Sequence, residues 1–454
     1  MPFPLLLSAR PALRRGAFVL ASGAVAGLAP AGPLRAQGSG AGAQDAELAR
    51  RVAAVTPKLV AWRRDLHQHP ELSNQETRTA GIVAAHLRAL GLEVRTGVGG
   101  HGVIGVLRGG RPGKTVALRA DMDALPVTEQ VDLPFKSAVR ATYNGQEVGV
   151  MHACGHDLHT AMLMGAAEVL AAQKATLPGT VVFLFQPNEE GDPGKPSGAK
   201  AMLAAGAMDG ALKPDAVFGL HVGITPAETG HLTYRPNGLM AAADFFRVVV
   251  RGRQAHGSTP WAGVDPVVAA AYAVTALQTI VSRQLNLTVG PAVVTVGAFN
   301  GGVRNNIIPD SAVLIGTIRT FDPEMRRDLH ARLRRTVDLA VQAQGATASV
   351  DIQEMTPVTA NDPALTARMV ATLRRAAGAA GVSEGRQVTT SEDFGYFAER
   401  APGLFLFLGV KPKASPDSAF AGNHSPKFAA DEAALPVGTR ALAALAADFL
   451  AGAP

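Results

Sequence analysis

The chain has 454 residues, of which 47% are hydrophobic and 18% charged, with 49 glycines and 30 prolines. It is too long for one ordinary core, too apolar for a disordered chain and too rich in helix breakers for a coiled coil, so a soluble α/β protein of two or three domains is expected. The formal charge of +6 falls to +2 without Arg10, Arg14, Arg15 and Arg35, and no basic block denser than Arg326-Arg327 or Arg334-Arg335 remains, which argues against nucleic acid as a partner.

Residues 1–36 read as an export signal. Arg14-Arg15 precede an apolar run from Ala17 to Leu28 that is too short, and too interrupted by Gly and Pro, for a stable membrane anchor. Paired arginines before a mild Ala/Gly-rich stretch resemble a twin-arginine signal, although no Ser or Thr stands directly before them, so a periplasmic location is expected. Residues 37–46 read as a flexible lead-in.

Helical spacing predicts helices over Ala46–Leu66, Thr77–Leu90 and Thr160–Gln173. Val103–Leu107, Thr115–Leu118, Val181–Phe185 and Val217–Leu220 read as strands, the last two as buried parallel ones. The alternation predicts a doubly wound α/β domain over 47–239. From 240 to 355 the order changes to β-α-β-β-α-β: Phe245–Val250, Asp265–Arg283, Ala292–Phe299, Ala312–Arg319, Pro323–Gln344 and Ala346–Ile352. That order predicts an inserted ferredoxin-like domain, and residues 356–454 return to the first domain.

The chemistry-bearing residues follow predicted strands, where open α/β sheets bind ligands. Met151-His-Ala-Cys-Gly-His-Asp-Leu-His159 places one thiol and three imidazoles before a helix, a set suited to zinc and its neighbours. The only cysteine, Cys154, excludes an intramolecular disulfide. Phe185-Gln-Pro-Asn-Glu-Glu-Gly191 puts two carboxylates after an apolar strand, one able to bind metal and the other to take a proton from an activated water. His221 and His424 are weaker signals alone. Cys154, His156, Glu190, His221 and His424 make five ligands, too many for one tetrahedral zinc with an open position and suited to two ions.

These stretches, with His67-Gln-His-Pro-Glu71, Ala117-Leu-Arg-Ala-Asp-Met-Asp-Ala-Leu-Pro126 and Ser391-Glu-Asp-Phe394, resemble the aminoacylase/carboxypeptidase family of dinuclear metallopeptidases, over residues 48–450. The branch with hippurate hydrolases and auxin-conjugate amidohydrolases is the most similar. The resemblance implies a metallopeptidase-like catalytic domain with an inserted dimerisation or lid domain, and two divalent ions per subunit: zinc or manganese, with cobalt and nickel as further candidates. It implies the five ligands above, Glu189 as general base and Asp123 as an acid behind the ligands. Asp121 stands where other branches carry a metal-binding His, in keeping with Cys154 as a ligand. His256, in Gln254-Ala-His-Gly-Ser-Thr-Pro260, matches a residue that polarises the scissile carbonyl, often from the partner subunit. Asn306 and Arg319 match residues that hold the substrate carboxylate. The implied reaction is hydrolysis of N-acyl amino acids in a homodimer, with a dipeptidase or carboxypeptidase as the alternative. Two departures stand beside the implied base: Asn188, where the family often has Ala, and a longer Pro-rich segment, Asp192–Gly198.

Overall fold

Continuous apolar runs in the central strands, alternation in strands after residue 240 and apolar stripes on helices are what the fold buries. The computed structural model describes residues 38–452 apart from 193, so the expected export signal lies outside the described residues. Helix α1 spans Gly38–Gln68 and α2 Thr77–Ala89. The helix expected from Ala46 therefore starts at Gly38. Ala41, Ala43 and Ala46 favour helix, and lengthening a helix needs no new nucleus.

Strands β1 (Glu93–Val98), β2 (Gly102–Arg108) and β3 (Arg111–Asp121) precede α3 (His156–Ala171). Then come β4 (Pro178–Gln186), α4 (Gly198–Ala204), β5 (Ala216–Val222) and β6 (Leu232–Tyr234). The chain next forms β7 (Ala242–Arg251), α5 (Pro266–Thr279), β8 (Ala292–Gly301), β9 (Ser311–Thr320), α6 (Pro323–Gln342) and β10 (Thr347–Thr356). It ends with α7 (Pro363–Ala377), β11 (Val382–Glu384), β12 (Gly403–Leu408) and α8 (Leu435–Ala451).

The fold is mixed α/β around an eight-stranded sheet of order β1-β2-β4-β3-β5-β12-β6-β11. Its centre is parallel: β3 pairs with β4 and β5, and β5 with β12. Alternation along β4 sends Val181, Phe183 and Phe185 into a core shared with α1, α2, α3, α7 and α8, and Val182 and Leu184 into a second core with α4. Each such side chain is worth ~1.5–3 kcal/mol on burial. Glu432–Ala451, comprising α8 and the turn before it, is apolar and long enough to cross a membrane, but 67% of its most apolar window is buried inside the protein.

Residues 242–356 form a second, antiparallel sheet of order β8-β9-β7-β10. Both α5 and α6 pack on one face of it, against Phe246, Val248, Leu314 and Ile318. Asp265 and Asp322 cap these helices, accepting the N–H groups of Val267 and Met325 at 2.8 Å each.

Candidate metal centre and active site

The segment after β4, the end of β5, the loop after β12 and the turn into α3 bring the sequence-predicted ligands together, with Asp121 and Asp123 arriving at the end of β3. Gly155 begins α3 in the left-handed region (φ 88°), and a Cβ there would run into Val222. Only glycine therefore lets Cys154 and His156 flank this turn. His156 opens the helix, four residues before the expected start at Thr160.

Cys154 Sγ lies 3.3 Å from His221 Nε2. His221 Nδ1 donates to the Val222 carbonyl at 2.8 Å, which leaves Nε2 bare toward the thiol. His156 Nδ1 meets the Asp123 carbonyl at 2.8 Å, and its Nε2 is buried without a hydrogen-bond partner. That Nε2 is 3.9 Å from both Glu189 Oε2 and Glu190 Oε1. His424, itself left-handed (φ 66°), is 3.1 Å from Glu190 Oε1 through Nε2. The donor atoms of Cys154, His156 and His221 lie within 4.8 Å of one another, as do those of Cys154, Glu190 and His424. The thiol thus belongs to both groups, and the five residues form two adjoining sets of three.

The other imidazoles of the cluster do not join them. His159 Nδ1 donates to Asp121 Oδ1 at 2.6 Å and its Nε2 accepts the Val222 N–H at 2.9 Å. Both nitrogens are used, although Asp121, His156 and His159 form one of three further close groups among the described residues, the others being His156, Glu189 and Glu190, and Glu189, Glu392 and Asp393. His152 is buried with neither nitrogen partnered, and burial outweighs the nearby Asp157 and pushes it down to about 4.

Asp123 organises the site through its carboxylate. Its oxygens accept the backbone N–H groups of Glu189 (3.1 Å) and Glu190 (3.0 Å) and the Ser73 hydroxyl (2.6 Å). The same carboxylate is 3.3 Å from His156 Nδ1. Asn423 was not singled out by sequence, yet its Nδ2 donates to the carbonyls of Cys154 (2.9 Å) and Val222 (3.0 Å), tying the His424 loop to two ligand-bearing segments. Arg119 was also missed. Fully buried, it binds Asp121 (2.7 Å), Glu392 (2.8 Å), Asp393 (3.0 Å) and Gln186 (2.8 Å). Arg119 lies inside the Ala117–Pro126 stretch, and Asn423 stands directly before His424.

The electrostatics favour cations. Burial opposes charge on His156, but Asp121 and Asp123 overcome it and raise it to about 10. Burial, then Glu190 and Glu189, push the Cys154 thiol well up. Burial, then Glu392 and Glu190, likewise hold Glu189 far above the usual carboxylate range. Without metal the site retains protons at each of these places, and a thiolate, imidazoles and carboxylates are what divalent transition ions replace protons on. The residues therefore fit divalent metal.

The carboxylate and carbonyl contacts expected from residues 240–355 are only partly assembled. Arg319, on the helix-free face of β9, donates to Ser391 Oγ at 3.0 Å, next to Glu392. His256 pairs with Ile307 in a two-residue ladder, and Gly257 N–H donates to the Asn306 carbonyl at 2.8 Å. His256 Nδ1 contacts Ser258 Oγ at 2.7 Å, and His256 belongs to none of the metal-competent groups found among the described residues.

The chain resembles known proteins over most of its length. The chain is 40% identical over 405 residues to thermostable carboxypeptidase 2 of Saccharolobus solfataricus, covering 89% of this chain and 98% of that protein. It is 37% identical to N-acetyl-L-cysteine deacetylase of Bacillus subtilis, covering 85% and 86%. The solved YXEP protein of Bacillus subtilis, a dinuclear metal binding peptidase, superposes with a TM-score of 0.73 at 33% identity over 88% of this chain and 99% of that one. Residues 117–448 match the model of peptidase family M20/M25/M40, and the chain belongs to that family.

Proposed function

We propose that this protein is a metal-dependent amidohydrolase that converts N-acyl amino acids into a carboxylic acid and a free amino acid. The observation that carries the reading is the pair of three-donor sets sharing Cys154, with Glu189 beside them. Cys154, His156 and His221 would hold one ion, and Cys154, Glu190 and His424 the other, with zinc or manganese as the fitting metals. When bound, such ions supply Lewis acidity toward the amide carbonyl and make water acidic enough to attack near neutral pH.

Glu189 takes a proton from the attacking water as its oxygen bonds the carbonyl carbon, then passes that proton to the leaving nitrogen as the C–N bond breaks. His256 supports the negative charge on the carbonyl oxygen. Asn306 and Arg319 hold the substrate carboxylate, for which the guanidinium fork is suited.

Residues 240–355 act in this reading as a ferredoxin-like lid and dimerisation domain inserted between catalytic segments 47–239 and 356–454. The separation of His256 from the donor sets supports its delivery by domain closure or by the partner of a homodimer. Residues 1–36 would export the protein to the periplasm. A dipeptidase or carboxypeptidase on the same centre is the second reading, favoured by the 40% identity to a protein named as a carboxypeptidase. A panel of acetyl-, benzoyl- and indoleacetyl-amino acids against dipeptides, run with each metal, tests both. Turnover of the dipeptides alone would overturn the first.

A further inference from the structure

Three consecutive backbone N–H groups, those of Asn188, Glu189 and Glu190, point at two buried carboxylates. Glu189 and Glu190 donate to Asp123. The Asn188 N–H goes instead to Glu76 Oε1 at 2.8 Å. Asn188 is left-handed (φ 54°), and a left-handed residue leading successive N–H groups makes a concave nest for an anion. Here the protein supplies the acceptors itself, in Asp123 and Glu76.

Glu76 is suited to this task and to no other visible one. Its residue is fully buried, and the same Oε1 accepts the Asn74 N–H at 2.9 Å, while Oε2 has no partner. It stands at the start of α2, yet the free N–H groups of that helix are taken by Glu71, which accepts from Arg78 and Thr79 at 2.8 Å each. Glu76 is thus released from helix capping and turned toward the segment bearing Glu189.

We propose that Glu76 is a positioning residue for hydrolysis: by accepting the Asn188 N–H it fixes the turn that aims Glu189 and Glu190. Asp123 holds the far side of the turn and Glu76 the near side. Asn188 suits the left-handed position, and its carbonyl accepts the Gly198 N–H at 2.9 Å while its amide donates to the Pro196 carbonyl at 2.9 Å. The turn and the Pro-rich segment after it therefore share one anchor. A shift of ~1 Å in a catalytic group can cost about 10²-fold in rate, so losing this acceptor acts on kcat.

The inference rests on the proposed hydrolysis for its kinetic arm only. The structural arm is hydrogen exchange on the metal-loaded full chain, read on the peptide containing Asn188–Glu190, and needs no substrate. E76A should accelerate exchange there at least tenfold, while E76Q, which keeps the accepting oxygen, should restore wild-type protection. In the kinetic arm, run at saturating metal, E76A should lower kcat at least tenfold with KM within about twofold, and E76Q should recover kcat to within about threefold. E76M, which keeps the volume and removes the acceptors, replaces E76A if the latter does not fold. Wild-type exchange in E76A or E76M, or an E76Q variant as impaired as either, would overturn the proposal. Failure of the wild-type protein to hydrolyse any N-acyl amino acid would sink the proposed function alone.

Discussion

His159 is locked by Asp121: a 2.6 Å bond to Nδ1 fixes the ring, and the Val222 N–H occupies the opposite nitrogen. An imidazole with both nitrogens engaged cannot ligate without breaking a buried bond. H159Q should therefore keep both metals and lose ~1–3 kcal/mol of stability, whereas H156A should lose metal. Elemental analysis and thermal unfolding separate the two effects. Metal loss in H159Q equal to that in H156A would make His159 a ligand.

Glu189 is assigned to neither donor set. E189Q should keep two ions per chain and lose about 10²–10⁴-fold in kcat, the usual range for a general base. Loss of metal in E189Q with full retention in E190Q would mean that the two neighbouring carboxylates have exchanged roles.

Asp244, on the helix face of the second sheet, takes hydrogen bonds from Arg326 and from His330 (2.7 Å). Burial disfavours its charge, but the bonds from His330 and Arg326 outweigh burial and hold the carboxyl below its ordinary value. A depressed carboxyl contributes stability that is complete above its unfolded value of ~3.9 and is lost as pH falls through the folded value. D244N should cost ~2 kcal/mol at neutral pH, with the gap to wild type closing once pH drops below the folded value. Denaturant unfolding at neutral and strongly acid pH tests the sign; an equal gap at both would refute the linkage.

His256 lies outside both donor sets, so H256A should reduce kcat while leaving metal affinity unchanged. If the partner subunit supplies it, H256A and E189Q subunits mixed in equal amounts should regain about a quarter of wild-type activity, from heterodimers with one intact site. No recovery after verified exchange would leave closure within one chain as the only route for His256.

Replacing Arg14 and Arg15 with Lys should leave the precursor in the cytoplasm. Normal appearance of that variant in the periplasm, followed by fractionation, would exclude dependence on the pair.

Much of this was legible before the fold. The long apolar runs of β2, β4 and β5 declare buried strands, and the donors of the centre stand out as rare chemical types in short stretches. β1 escaped notice because Glu93-Val-Arg-Thr-Gly-Val98 exposes most of its residues and shows no clean alternation. The first turn of α3 escaped because His156, Asp157, His159 and Thr160 are polar but buried, which periodicity reads as a loop. Glu76, Arg119 and Asn423 hold backbone or other side chains rather than a metal, and such roles depend on contacts between segments far apart in sequence.

Nearly every residue of α3 is buried, from His156 at its start to Leu170 near its end, and Gly165 and Met162 press on Leu59 and Gly438 from neighbouring elements. A laboratory seeking altered substrate range would find little freedom there, since each change would disturb packing and metal together. More room for change lies at the exposed Gly194 and Lys195, where no buried packing constrains the chain.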